Sequence, residues 1–301
     1  MIILPGPASI ELGKKIADEL GVIAQIIDHR IFPDGESYIR LTGSVAGDVV
    51  AVVQTTAPFP DQKLMQLMLT AGTANDFGAS RVIAVVPYIA YSRQDKRFLE
   101  GEALSLDVVI RLMENVGITD LIVVDAHNSA SLHTIEEKHS VKIHNVSAIP
   151  LLAEYLKRRG YEGALSLSPD MGAIHHAKAA ALVLGGPTSL FEKTRDRKTG
   201  EIIMAAKDLD VKGKRVVVFD DIISSGGTMA MAVAVLKGQG ADKVAAACSH
   251  ALFMGGAEDK IRKAGADIII AADTVETQYS QVTIAGVIAA KLRQLCYPQH
   301  L

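Results

Sequence analysis

The sequence has no tryptophan and two cysteines, Cys248 and Cys296, in 301 residues. Two cysteines cannot build a disulfide framework or a four-ligand zinc site. No apolar run approaches the roughly 18 residues that a membrane span needs. The start, Met1-Ile2-Ile3-Leu4-Pro5-Gly6-Pro7, lacks the basic and long apolar regions of a signal peptide. Net charge is also small: 31 Lys and Arg stand against 34 Asp and Glu, a formal balance of −3. That excludes a broad surface for nucleic acid or an acidic membrane, but leaves room for a local basic site for a phosphorylated small molecule. What remains is a globular composition, 49% apolar and rich in Ala, Val and Ile, with 22% charged. At about 150 residues per domain the length predicts two domains, in a reduced, cytoplasmic protein.

Short β-branched runs alternate with Ala/Leu-rich stretches. Strands are expected at Val49–Val53, Arg81–Val86, Leu121–Val124, Leu165–Leu167, Val216–Phe219, Lys243–Cys248 and Ile268–Ala271. Most are continuously apolar, as strands buried on both faces require. Helices are expected around Ile10–Leu20, Asp61–Phe77, Ser105–Asn115, Ile149–Arg159, Gly172–Leu184, Thr228–Gly238 and Ala257–Ala264. Glycines such as Gly21 and Gly185 stand where such helices stop. This rhythm predicts an α/β fold of two similar domains, each a mainly parallel sheet flanked by helices. The boundary is expected near Val141–Ser147, giving domains at 1–143 and 144–281, with a final helix in 282–301 packing on the first. Ligands in open α/β sheets bind beyond the carboxyl ends of strands, so the polar segments there are the site candidates.

The strongest of these is Asp220-Asp221-Ile222-Ile223-Ser224-Ser225-Gly226-Gly227-Thr228, after a buried strand and before a helix. A small, hydroxyl-rich Gly-Gly loop lets backbone N–H groups converge on a phosphate, and the helix start favours the charge. The paired acids suit vicinal sugar hydroxyls or a magnesium ion; a bare turn before a helix cap is the alternative. In Pro87-Tyr88-Ile89-Ala90-Tyr91-Ser92-Arg93-Gln94-Asp95, Arg93 offers a planar fork for phosphate oxygens and Gln94 an amide. Phe32-Pro33-Asp34-Gly35-Glu36 is by itself a turn with two acids. Asp125-Ala126-His127-Asn128 reads as a polar strand end with a buried histidine. His175 and His176 sit side by side on a helix, where adjacent side chains are expected to diverge. Phe191–Glu201, containing Lys193 and Arg195, reads as a charged loop.

Taken in order, these segments resemble those of the ribose-phosphate pyrophosphokinase (phosphoribosyl pyrophosphate, PRPP, synthetase) family. The Ser224–Thr228 loop looks more like archaeal than bacterial members. The resemblance implies two domains of the type I phosphoribosyltransferase-like fold and the conversion of ATP and D-ribose 5-phosphate into AMP and PRPP. It implies that Phe32, Asp34, Glu36, Arg93 and Gln94 bind ATP, with the Phe32–Glu36 loop reaching in from a neighbouring subunit. The active unit would then be at least a homodimer with a shared active site. It further implies that Asp220, Asp221, Ser224, Ser225, Gly226, Gly227 and Thr228 hold ribose 5-phosphate, that His127 and Asp170 contact Mg2+, and that Lys193 and Arg195 are catalytic. Asn128 departs from the family pattern, which has Ala there and a Gln soon after. A PRPP-consuming phosphoribosyltransferase is the alternative enzyme, but it has no use for Phe32–Glu36 or Arg93–Gln94. A catalytically silent regulatory relative is the other alternative, although Lys193, Arg195 and His127 are all present.

Overall fold

The computed structural model describes residues 1–195, 202–205 and 209–297, and of residues 192–195 and 202–205 the backbone alone. The chain divides into two compact units. Unit 1 is Met1–Ser147 together with the chain from Thr283, and unit 2 is Ala148–Val282. In unit 1 the elements run β1 (Ile2–Pro5), α1 (Ile10–Leu20), β2 (Ile23–Ala24), β3 (Asp28–Ile31), β4 (Ser37–Arg40), β5 (Val49–Val53), α2 (Pro60–Asp76), β6 (Arg81–Val86), α3 (Ser105–Asn115), β7 (Ile118–Val124), α4 (Ser129–Glu136) and β8 (Lys142–Val146). Unit 2 continues with α5 (Ile149–Leu156), β9 (Leu165–Ser168), α6 (Ile174–Leu184), β10 (Thr188–Leu190), β11 (Glu192–Arg195), β12 (Ile202–Ala205), β13 (Arg215–Ile223), α7 (Gly227–Gly238), β14 (Lys243–Ala251), α8 (Ala257–Lys263), β15 (Ile268–Ala272) and β16 (Ser280–Val282). The last helix, α9 (Ala285–Cys296), belongs to unit 1 and packs on α1.

Both units carry the helix-flanked parallel sheet that the rhythm predicts. Unit 1 has six strands in the order β2-β1-β5-β6-β7-β8, all parallel. Unit 2 has six in the order β10-β9-β13-β14-β15-β16, also all parallel. Each sheet therefore turns back past its first strand in the same way. Each unit also inserts one antiparallel hairpin, β3–β4 or β11–β12, between its second and third sheet strands. The likeness between the halves, barely visible as residue identity, is complete at the level of topology.

The central strands are buried on both faces, and their side chains alternate between two cores. In unit 1, Val50, Val52, Val82, Ala84, Leu121 and Val123 meet Leu67, Ala71 and Ala74 of α2 and Leu106, Ile110 and Met113 of α3. In unit 2, Val216, Val218, Val244, Ala246 and Ala271 meet Ala232, Val233 and Leu236 of α7. In α9, Ala285, Ile288, Ala289 and Leu292 are buried, one face at helical spacing. Gly21 and Gly185 end α1 and α6 in the left-handed conformation, which glycine adopts without a Cβ penalty.

Several features depart from the sequence expectation. Short β1, β2, β10 and β16, the β3–β4 hairpin and α4 were not anticipated, and Glu192–Arg195, expected in a charged loop, is strand β11 paired with β12. Lys142–Val146, in the segment expected to hold the domain boundary, is instead the edge strand of the first sheet, so the division falls after Ser147. β13 does not stop at Phe219 but runs through Asp220 and Asp221 to Ile223, paired with β14 up to Ile223↔Ala251.

Candidate active site

The unit 2 residues gather where β9 and β13 part company, the point at which the sheet reverses its strand order. The two strands pair as far as Val218↔Leu167. Beyond it β9 turns away and β13 continues alone beside β14. Asp220 is half-buried and Asp221 is 6% exposed. Each carboxylate turns back on the backbone: Asp220 Oδ1 accepts from Asp221 N at 3.0 Å, and Asp221 Oδ1 accepts from Ile222 N at 2.9 Å. Burial first, then the Asp221 and Asp170 carboxylates, hold the Asp220 pKa well above the usual range. Burial beside Asp220 pushes the Cys248 thiol up as well, so that cysteine is an inert packing residue.

The loop that follows leads into α7 through Gly226. Gly226 has φ +73 and precedes α7. A Cβ there would also lie 2.8 Å from Ala257 Cβ and 2.9 Å from Ala257 O at the start of α8. Glycine is thus required twice, by conformation and by space. No side chain caps α7, so its first amides are left to solvent or a ligand. Ser225, Gly227 and Thr228 are exposed, and Ser224 is half-buried with its hydroxyl 3.7 Å from Met254 Sδ. Lys260, which the sequence hid in the charged run of α8, places Nζ 3.2 Å from Ser225 O and adds a cation beside the loop. Asp170 stands in the turn after β9, where its Oδ1 accepts from Ala173 N at 3.2 Å and ties down the start of α6. His175 and His176 do not diverge: their rings lie 3.9 Å apart at 42°. Lys193 and Arg195 lie on β11, opposite Met204 and Ile202 of β12; their side chains are outside the described residues.

In unit 1 the segment after β6 is held by Thr56, whose hydroxyl donates to Tyr88 O at 2.7 Å and accepts from Ala90 N at 2.6 Å. Tyr91, at φ +65, donates its hydroxyl to Asp61 in the first turn of α2. Arg93 is left exposed and Gln94 half-buried. Asn128 does two jobs: its Oδ1 accepts from Ser131 N at 3.2 Å, capping α4, and its Nδ2 donates to Asp95 Oδ2 at 2.8 Å. That bond brings the turn after β7, with His127, to the Arg93–Asp95 segment. His127 is exposed, not buried as its strand-end setting suggested. Phe32, Asp34 and Glu36 are exposed at the tip of the β3–β4 hairpin. The tip closes through Phe32 N to Glu36 O at 2.8 Å and Glu36 N to Asp34 Oδ1 at 3.1 Å. Arg30 lies over Tyr38 at 4.3 Å and Phe32 at 5.6 Å from the ring centres, fixing the aromatic face of the tip. Among the described residues no hydrogen bond joins this tip to Arg93 or Gln94.

Comparison with known proteins places the chain. Residues 1–117 match the N-terminal domain of ribose phosphate pyrophosphokinase, and residues 151–287 match the phosphoribosyl transferase domain. A ribose-phosphate pyrophosphokinase from Saccharolobus solfataricus is 39% identical over 91% of this chain and 93% of its own length. One from Sulfolobus acidocaldarius is 38% identical over 98% of this chain and 100% of its own length. The chain belongs to the ribose-phosphate pyrophosphokinase family. The crystal structure of a phosphoribosylpyrophosphate synthetase from Mycobacterium smegmatis superposes with a TM-score of 0.85 at 29% identity, covering 98% of each chain. Family membership spans both units, so the fold expected from the motifs holds over the whole chain.

Among the described residues no three of His, Cys, Asp and Glu converge as a metal cage. Magnesium is commonly held by one or two carboxylates, several waters and substrate phosphates, so it does not need such a cage. Asp170, Asp220 and Asp221 carry oxygen donors of the kind magnesium prefers. No helix among the described residues is long and apolar enough to cross a membrane.

Proposed function

We propose that the chain is a ribose-phosphate diphosphokinase: ATP and D-ribose 5-phosphate give AMP and PRPP. The observation that carries this reading is that one chain holds two complementary sets of groups. Unit 2 offers paired acids followed, after a short Ser-Ser-Gly loop, by an uncapped helix start, suited to a sugar phosphate. Unit 1 offers an exposed aromatic hairpin tip and an arginine–glutamine turn, which a PRPP-consuming transferase would not need.

In this reading the amides of Gly227 and Thr228 and the hydroxyls of Ser224, Ser225 and Thr228 hold the 5-phosphate at Gly226, the glycine that lets the helix start come close. Asp220 and Asp221 accept from the 2- and 3-hydroxyls and so orient the 1-hydroxyl. Arg93 and Gln94 hold the triphosphate, while Phe32 stacks on the base, with Asp34 and Glu36 at its edge. The 1-oxygen of the sugar attacks the β-phosphorus of ATP. The bond from that phosphorus to the oxygen shared with the α-phosphate breaks, AMP leaves, and the hydroxyl proton is lost to solvent. Lys193 and Arg195 stabilise the charge that develops on the transferred group. His127 in unit 1 would hold the Mg2+ of Mg-ATP and Asp170 in unit 2 would be a second magnesium contact; the ion would supply neutralisation of phosphate charge.

If the hairpin works in a neighbouring copy, the active form is at least a homodimer, and a fully active monomer at high dilution would refute that. ATP and sugar phosphates are charged and do not cross membranes unaided, and the reading is of a cytoplasmic enzyme. The test mixes the protein with Mg-ATP and ribose 5-phosphate and measures AMP and PRPP. Equal amounts of both support the reading; neither, at any phosphate concentration, overturns it.

A further inference from the structure

We propose that Gln66 is a positioning residue for ATP, acting through Ser37 on the β3–β4 hairpin; this rests on the reading that the hairpin tip binds ATP. The tip carries Phe32, Asp34 and Glu36 into solvent, so their aim depends on how the base of the hairpin is fixed. Ser37, the first residue of β4, directly follows Glu36. Gln66, on α2, is fully buried, and its Nε2 donates to Ser37 Oγ at 3.1 Å.

The orientation of the Gln66 amide is set by its other end. Oε1 accepts from Gln54 Nε2 at 3.2 Å and from Lys63 Nζ at 3.4 Å. Two donors facing one atom identify it as the oxygen, which leaves the amide nitrogen facing the serine. Gln54, also fully buried, is fixed in its turn: its Oε1 accepts from Ala8 N at 3.0 Å and its Nε2 also donates to Lys63 O at 3.4 Å. A chain of hydrogen bonds, buried at Gln54–Gln66 and part-buried at its ends, thus runs from the loop after β1 through Gln54 and Gln66 to the residue beside Glu36. Buried networks of this kind have few alternative arrangements, because each unpaired polar group is costly. They transmit rigidity rather than charge. The hairpin base is therefore fastened to the sheet while its tip stays open.

The same helix fastens the second ATP segment through Asp61 and the Tyr91 hydroxyl. Gln66 and Asp61 stand within the first two turns of α2. One helix start thereby sets the base of the hairpin and the turn that leads to Arg93.

The test is a double-mutant cycle on the full chain with Gln66→Met, Ser37→Ala and both together, with Phe32→Ala as reference. Gln66→Met keeps length and loses the amide; Ser37→Ala leaves the Gln54–Gln66–Lys63 bonds intact and so tests the link even if the first variant folds poorly. Each single change should raise the KM for ATP about tenfold. The double change should add nothing further, and kcat and the KM for ribose 5-phosphate should stay within about twofold. Additive effects, or an equal rise in both KM values, would assign Gln66 a general structural role and overturn the inference. Unchanged ATP KM in both single variants, with a raised value in Phe32→Ala, would overturn the inference while sparing the hairpin's role. If Phe32→Ala itself leaves the ATP KM unchanged, the hairpin reading falls and the inference falls with it.

Discussion

The two units share one topology but treat its crevice in opposite ways. In unit 1, β1 and β5 stay paired to their last residues, Pro5↔Val53, and Gly6 N then donates to Val53 O at 2.8 Å. The space beyond is filled by the buried Gln54 amide, which accepts from Ala8 N, while Ser9 Oγ accepts from Thr55 N at 2.8 Å. The loop amides that could meet an anion are spent on side chains of the chain itself. In unit 2 the equivalent strands part after Val218↔Leu167, and no side chain caps the helix that follows. Its polar groups include paired carboxylates that repel each other. The same fold thus gives a filled strand end where a glutamine stands and an uncapped helix start where acids and glycines do. Each unit carries an inserted hairpin, one bearing Phe32–Glu36 and the other Lys193 and Arg195.

The largest effect should come from the unit 2 hairpin. Lys193→Ala should lower turnover at least ~10²-fold, given that single cations in phosphoryl transfer are worth about 10³–10⁵-fold. Ribose 5-phosphate binding should change little, and steady-state kinetics with a calorimetric titration separates the two; near-normal turnover would remove Lys193 from this role. Next comes the open crevice. Asp221→Ala should weaken ribose 5-phosphate by about tenfold, the scale of a lost hydrogen bond to a charged group. Unchanged affinity in the titration would count against the sugar assignment. Gln54→Ala makes the matching change in the sealed crevice. It leaves Ala8 N–H without its partner and takes one of two donors from the Gln66 oxygen, at a cost of about 2 kcal/mol in stability. Ribose 5-phosphate affinity should not move. A Gln54 variant that lost sugar-phosphate binding would erase the distinction between the two crevices.

How much of this could be read from the sequence follows from where the pattern was strong. β5 and β6 are found end to end because Val49–Val53 and Arg81–Val86 are buried on both faces and bounded by polar residues. α1 and α3 are found likewise, each carrying a clean apolar stripe. The β3–β4 hairpin was missed because Asp28-His29-Arg30-Ile31 has no apolar face, its partner strand being half-buried. The Ser224–Thr228 segment stood out as a candidate because glycine, hydroxyls and paired acids are rare together, and it does join β13 to α7. Gln54, Gln66 and Asn128 did not stand out, since an uncharged amide in an apolar or polar stretch carries no periodic signal. Their roles depend on which backbone groups the fold leaves short of a partner, and only the tertiary arrangement fixes that.

The smallest effect concerns how unit 1 holds its sheet, apart from any ligand. Arg81 Nη2 lies 2.7 Å from Asp120 Oδ2, Arg81 Nη1 donates to Leu295 O at 3.0 Å near the end of α9, and His144 Nε2 is 3.1 Å from Asp120 Oδ1. This joins β6, β7 and β8 to the returning helix. Burial alone would raise the Asp120 pKa, but bonds from His144, Thr119 and Arg81 outweigh it and hold the carboxyl at about 2. A depressed carboxylate stabilises the fold above its unfolded pKa of about 3.9, and that stability is lost as pH falls through about 2. Asp120→Asn should therefore cost about 1–2 kcal/mol at pH 7, and the gap to the parent should narrow between pH 4 and about 2. Urea unfolding at pH 7 and in acid reads it. A penalty that stayed the same in acid would mean that the shape of the side chain, not its charge, carries the contact. Because no substrate segment touches this group, the catalytic constants should stay as they are, the mark of a scaffold bond in the unit whose crevice is closed.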